Sequence, residues 1–173
     1  MRRLPACAQG WIDILIGNFG DTQLHRNLGD GTFERITGNS IDATWTNPDA
    51  MGGLPGKNTY SVCWLDYDND GDIDALVSKL TKGNEMHRND NGVFVAVSAG
   101  SLTASNREFV KHFGCADLNG DGLVDVVVAT LDGSNQLHFN HPGGDFTLST
   151  TTSVSQGSGK SNDLALGDYD GDG

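Results

Sequence analysis

The sequence predicts an all-β protein made of a tandem repeat of short antiparallel strands, and three observations carry that reading. Glycine is abundant and proline scarce, at 24 and 4 residues, which suits many tight turns between short strands. A short Asp-rich segment recurs at a fixed spacing, its glycines Gly71, Gly122 and Gly173 lying 51 residues apart each time. Between the copies, apolar residues alternate with period 2 or form short β-branched runs, both signals of strands.

The repeat covers more than the acidic segment. Asp66-Tyr-Asp-Asn-Asp-Gly-Asp-Ile-Asp-Ala-Leu-Val77 aligns with Asp117-Leu-Asn-Gly-Asp-Gly-Leu-Val-Asp-Val-Val-Val128, and Asp168-Tyr-Asp-Gly-Asp-Gly173 opens a third copy. An earlier copy keeps only its second half, Gly10-Trp-Ile-Asp-Ile-Leu-Ile-Gly17, 61 residues before Gly71. A first strand enters the acidic loop, with Val62 and Trp64 matching Phe113 and Cys115, then Leu164 and Leu166. A second strand leaves it at residues 14–16, 75–77 and 126–128. A third carries Gln23-Leu-His-Arg-Asn27, Glu85-Met-His-Arg-Asn89 and Gln136-Leu-His-Phe-Asn140. After a Gly-rich turn, Phe33, Phe94 and Phe146 open a fourth.

Four strands of ~5–6 residues with their turns fill a period of 51. Such a unit is a propeller blade, which buries its faces only against neighbouring blades. The expected fold is therefore a β-propeller fragment of four-stranded antiparallel blades. It divides into a partial blade at 10–38, an inserted loop at 39–57, full blades at about 58–106 and 107–158, and the start of a further blade at 159–173. Closure needs at least ~4 blades, so the chain reads as part of a longer protein.

The formal net charge is −12, and it is local. Eleven of the 23 acidic residues fall in the three loops, leaving 12 acids against 11 Lys plus Arg elsewhere. Clustered carboxylates repel one another unless a cation sits among them. An acidic chain lacks the Lys and Arg that phosphate binding requires, which excludes nucleic acid as the expected partner. No apolar run approaches the ~20 residues of a membrane span, and the N-terminus lacks the apolar core of an export signal. The three cysteines, Cys7, Cys63 and Cys115, are too few for a disulfide framework, and Cys63 and Cys115 read as small buried apolar residues.

The loops suit calcium. Ca²⁺ takes 6–8 oxygen ligands, and carboxylates on every second residue of a tight turn converge. The first loop offers Asp66, Asp68 and Asp70, the carbonyl of Asp72, and Asp74 as the strand begins. The second offers Asp117, Asn119, Asp121, the Leu123 carbonyl and Asp125; the third offers Asp168, Asp170 and Asp172. Gly71 permits the bend. In the first blade Pro5, Cys7 and Gln9 occupy the ligand places and only Asp13 remains, so no metal is expected there. An EF-hand would end in Glu at its twelfth position and be flanked by helices. Here Val77 and Val128 stand at that position, between strands.

These segments resemble the FG-GAP/VCBS repeat family, whose calcium-loop repeats also build integrin α-chain propellers. The likeness rests on Phe113-Gly-Cys-Ala-Asp117-Leu-Asn-Gly-Asp121-Gly-Leu-Val-Asp125 and on turns such as Leu24-His-Arg-Asn-Leu-Gly-Asp-Gly-Thr-Phe33. His25, His87 and His138 stand where Tyr is common in the family, and Val-Ala-Thr130 replaces a Gly-Ala-Pro-like stretch. The second departure weakens any narrow tie to integrins. The resemblance implies a secreted or cell-surface module with structural Ca²⁺ that binds a protein or glycan, and no catalytic residues. The alternative it implies is the propeller part of a polysaccharide lyase or related enzyme.

Other signals carry less. His25, His87 and His138 recur once per blade, as packing residues do and a unique catalytic residue does not. Trp64 lies in a strand pattern and reads as core; Trp45, on a polar inserted loop, is the better recognition candidate. Gly159-Lys-Ser161 lacks the upstream Gly of a phosphate loop, Val154 standing in its place.

Overall fold

A computed structural model describes residues 10–18, 20–42, 58–80, 83–104, 109–156 and 159–171. Trp45 and Asp172 lie outside the described residues. The described chain is all-β, in three antiparallel sheets. The first holds β1 (Ile14–Ile16), β2 (Gln23–Asn27) and β3 (Phe33–Ile36). The second holds β4 (Thr59–Leu65), β5 (Asp74–Lys79), β6 (Gly83–Asp90) and β7 (Val93–Val97). The third holds β8 (Val110–Ala116), β9 (Asp125–Thr130), β10 (Gln136–His141) and β11 (Asp145–Ser149). Each sheet is a meander whose spatial order follows the chain. We refer to the three sheets as blades 1, 2 and 3. No helix among the described residues is long and apolar enough to cross a membrane.

The register places equivalent residues alike in successive blades. Val62 faces Val77 and Phe113 faces Val128, while Leu76 faces Met86 and Val127 faces Leu137. The acidic loops therefore connect strands one and two of their blades. Residues 159–171 carry no strand assignment, although Leu164 and Leu166 crowd the Gly114 position of β8. A first strand needs its own second strand to complete a ladder. This segment is held instead by Ser161 N–H donating to the Thr130 carbonyl at 3.0 Å. Thr59 N–H donates in the same way to the Asn18 carbonyl at 2.9 Å, 102 residues earlier.

Two apolar cores lie between the sheets. Leu24 and Ile41 meet Ala75 and Phe94 between blades 1 and 2, with Trp64 packed against them. Leu65, Leu76, Met86 and Leu102 meet Phe113, Val126, Val128 and Phe146 between blades 2 and 3. β5 shows how a central strand serves both cores: Ala75 points to one and Leu76 to the other, as period 2 requires. The strand is consequently buried on both faces and reads as a continuous apolar run rather than an alternating one.

Ile41 has its counterpart in Leu102 of the one-turn helix α1 (Gly100–Thr103); these residues are 1% and 0% exposed. The repeat thus continues through residue 42. Cys63 and Cys115 pack, partly buried, against the core between blades 2 and 3, and their sulfur atoms meet between β4 and β8, across 52 residues. Lying one residue out of the 51-residue register, the two cysteines do not align in the repeat, so nothing in the sequence points to their meeting.

Two of the three recurring histidines, His87 and His138, are packing residues that fasten one blade to the next. His87 Nδ1 pairs with Ser40 Oγ and His138 Nδ1 with Ser101 Oγ, each at 2.8 Å and each serine lying just after the preceding blade. Both rings are buried. Gln136 Oε1 stands 2.9 Å from His138 Nε2, so that nitrogen carries the proton and Nδ1 accepts from Ser101. Burial lowers the His138 pKa to about 4. A histidine depressed in the fold stabilises it above its unfolded pKa near 6.5 and loses that contribution as pH falls toward 4. Over that window wild-type stability should fall by about 1.4 kcal/mol per pH unit more than that of His138→Gln, measured by urea unfolding at each pH.

Candidate metal centre

Each acidic loop is shaped first by its own backbone. Asp66 accepts from the N–H groups of Asp70 at 3.1 Å and Gly71 at 3.0 Å. Asp117 accepts from Gly120, Asp121 and Gly122 at 2.8–3.2 Å. Asp168 accepts from Gly171 at 2.7 Å. The first Asp therefore caps the turn, as Asx residues do. Donation from the Gly122 N–H is the main reason the Asp117 carboxyl lies below its usual range. Asn69 and Gly71 take positive φ of 60° and 92°, and Gly120 and Gly122 take 76° and 85°. Glycine reaches this region freely, and Asn is among the few other residues that tolerate it.

The last Asp of the loop has a structural duty beside the ligand role that the spacing suggested. Asp74 is fully buried; it accepts from Tyr67 N–H at 3.0 Å and Asn89 N–H at 2.7 Å. Asp125 repeats this with Leu118 N–H at 3.0 Å and Asn140 N–H at 2.9 Å. Asp13 accepts from Asn27 N–H at 2.8 Å. The asparagine completes the latch by donating from Nδ2 to the carbonyl beside the Asp: Asn27 to Ile12, Asn89 to Ile73 and Asn140 to Val124. The start of strand two is thereby clamped to the end of strand three in every blade. Asn27, Asn89 and Asn140 were not among the expected site residues. The available signal was their recurrence in strands, where Asn is disfavoured.

Burial is the larger influence on Asp74, pushing its pKa up to about 6 against the pull of the Asn89 and Tyr67 N–H bonds. With no cation beside it, this raised pKa adds stability at low pH that is lost as pH rises through about 6. Asp68 is also raised, by burial first and then by the Asp70 charge.

The first loop brings Asp66, Asp68 and Asp74 together, with one oxygen of each within 4.8 Å of the others. Asp68 Oδ1 is buried and has no hydrogen-bond partner. Asp70 and Asp72 stand outside this cluster: Asp70 Oδ1 accepts from Asp72 N–H at 2.8 Å, and Asp72 Oδ2 from Asn91 N–H at 3.0 Å. Among the described residues, no such cluster forms in the second loop. There Asn119 Nδ2 donates to Asp121 at 2.9 Å, and Asp121 Oδ1 accepts from Leu123 N–H at 2.9 Å. In the third loop Asp168 and Asp170 are exposed. The residues of the first loop fit a hard cation: three carboxylates converge, and one buried oxygen lacks a donor.

Asp13 separates latch from ligand, because its loop lacks the other acids. Asp13→Ala should lower stability by about 1–3 kcal/mol in urea unfolding and leave calcium stoichiometry unchanged in titration.

A profile of the FG-GAP-like repeat matches residues 8–77 and 117–173, most of the chain, and both matched stretches contain acidic loops. A search of curated proteins finds no match. The meander sheets, the cores between them and the matched repeat agree, and the chain belongs to the FG-GAP-like repeat family of β-propeller blades.

Proposed function

We propose that this chain is a calcium-binding propeller module, non-enzymatic, that serves protein or glycan binding outside the cell or at its surface. The observation that carries the calcium reading is the convergence of Asp66, Asp68 and Asp74, together with a buried Asp68 oxygen that has no hydrogen-bond partner. The extracellular and adhesive role is supported by the repeat family.

Calcium here would be structural. Asp66, Asp68 and Asp74 would hold it, with Asp70 and the Asp72 carbonyl as further oxygen donors. Asp117, Asn119, Asp121, the Leu123 carbonyl and Asp125 would form the second site, and Asp168, Asp170 and Asp172 would contribute to a third. The ion would supply the positive charge that offsets the mutual repulsion of the carboxylates. The loop's N–H bonds to Asp66 and the latch on Asp74 keep the turn near its bound shape, which limits the ordering cost of binding. Rim loops fixed in this way could present a surface of constant shape to a partner.

Sites of the weak extracellular class bind at roughly 10⁻⁴–10⁻³ M. At 10 mM Ca²⁺ each occupied site should then add about 1.4–2.7 kcal/mol, or roughly 5 °C in Tm. Circular dichroism melts with Ca²⁺ and with chelator should show this rise in the wild type and its loss in Asp68→Asn with Asp121→Asn. A cooperative melt indifferent to Ca²⁺ would remove the metal from the account.

A further inference from the structure

Tyr67 occupies the second place of the first loop, between two members of the carboxylate cluster. It is 5% exposed, its ring lying against blade 3. The Tyr67 ring covers Gly144 in the β10–β11 turn so closely that a β-carbon there would meet ring Cε2 at 2.3 Å. The Tyr67 carbonyl accepts from Asn140 Nδ2 at 2.8 Å, across 73 residues. Its N–H donates to Asp74 within its own blade, at 3.0 Å. One peptide segment is therefore bonded to the cluster on one side and to the neighbouring blade on the other.

From this geometry we propose that Tyr67 is a positioning residue that makes the β10–β11 turn of blade 3 part of the first loop's calcium site. The inference rests on the calcium reading above. Asp66 and Asp68 are the chain neighbours of Tyr67, so the seat of its ring and carbonyl on blade 3 sets where their backbones lie. Loss of that seat lets the carboxylates spread apart and weakens calcium binding, although no ligand has changed. By reciprocity, calcium in the first loop strengthens the contact between blades 2 and 3. Gly144 serves this contact twice, by its φ of +77° and by the absence of a β-carbon under the ring.

The test uses the full chain with the second and third loops silenced by Asp117→Asn, Asp121→Asn and Asp170→Asn. Isothermal titration with CaCl2 then reads the first loop alone. Tyr67→Leu and Gly144→Ala, added singly, should weaken calcium about tenfold at unchanged stoichiometry, and Tyr67→Phe should stay near the background value. If Gly144→Ala does not fold, Tyr67→Leu against its Tyr67→Phe control decides alone. Calcium affinity equal to the background in folded variants whose Tm has fallen would overturn the inference alone, leaving Tyr67 as packing. A background protein that takes up no calcium would overturn this inference and the calcium reading together.

Discussion

The buried carboxylate at the end of each acidic loop is the contact on which the rest of the blade depends. Asp74 and Asp125 each accept two backbone N–H groups, one from the loop and one from the end of the third strand. A buried carboxylate is costly unless such donors meet it, and leaving those N–H groups without it would be costly too. The asparagine that supplies one N–H also ties its side chain to the adjacent carbonyl. Two strands and a loop thus share one small polar centre. Blade 1 retains its version at Asp13 and Asn27. Asp13 thus keeps this duty in a repeat whose other acidic positions hold Pro5, Cys7 and Gln9.

Once the latch is counted, the acids of a loop are more than candidate ligands. The first also caps the turn, and the last also clamps it to the sheet. In the first loop Asp68 has a buried oxygen lacking a donor. A cation beside it would satisfy this oxygen, and the latch would hold Asp74 within reach. The same loop meets blade 3 through Tyr67, so charge and packing come together at one peptide segment. Leu76 and Met86 pack against Val126 and Phe146 elsewhere in the interface, which the Phe113 N–H bond to Ser61 Oγ and a His–Ser pair from the preceding connection fasten.

Much of this was legible in the sequence, because a repeat states its own alignment. The strands around Val62, Val77, Met86 and Phe94 followed from period and turn residues, and the three-sheet meander followed from them. The site was legible as a set of acids at alternating positions, but not in their structural duties. Spacing shows Asp74 as one ligand among the acids; only the strand register shows it also beneath the N–H of Asn89. The recurring Asn was visible and its meaning was not, since its partners are backbone groups that carry no sequence signature. The contact between Cys63 and Cys115 joins positions that do not align in the repeat, and Ser40 with His87 joins residues from different units. Such pairs come from stacking of blades, which a one-dimensional pattern does not record.

Amide hydrogen exchange on the chelated protein tests the latch most directly. The account predicts that the N–H groups of Tyr67, Asn89, Leu118 and Asn140 exchange as slowly without calcium as the amides of β5 and β9. Exchange at these four positions as fast as at exposed loop amides, slowing only when calcium is added, would contradict it. The clamp would then be a product of the ion and not the structure that receives it.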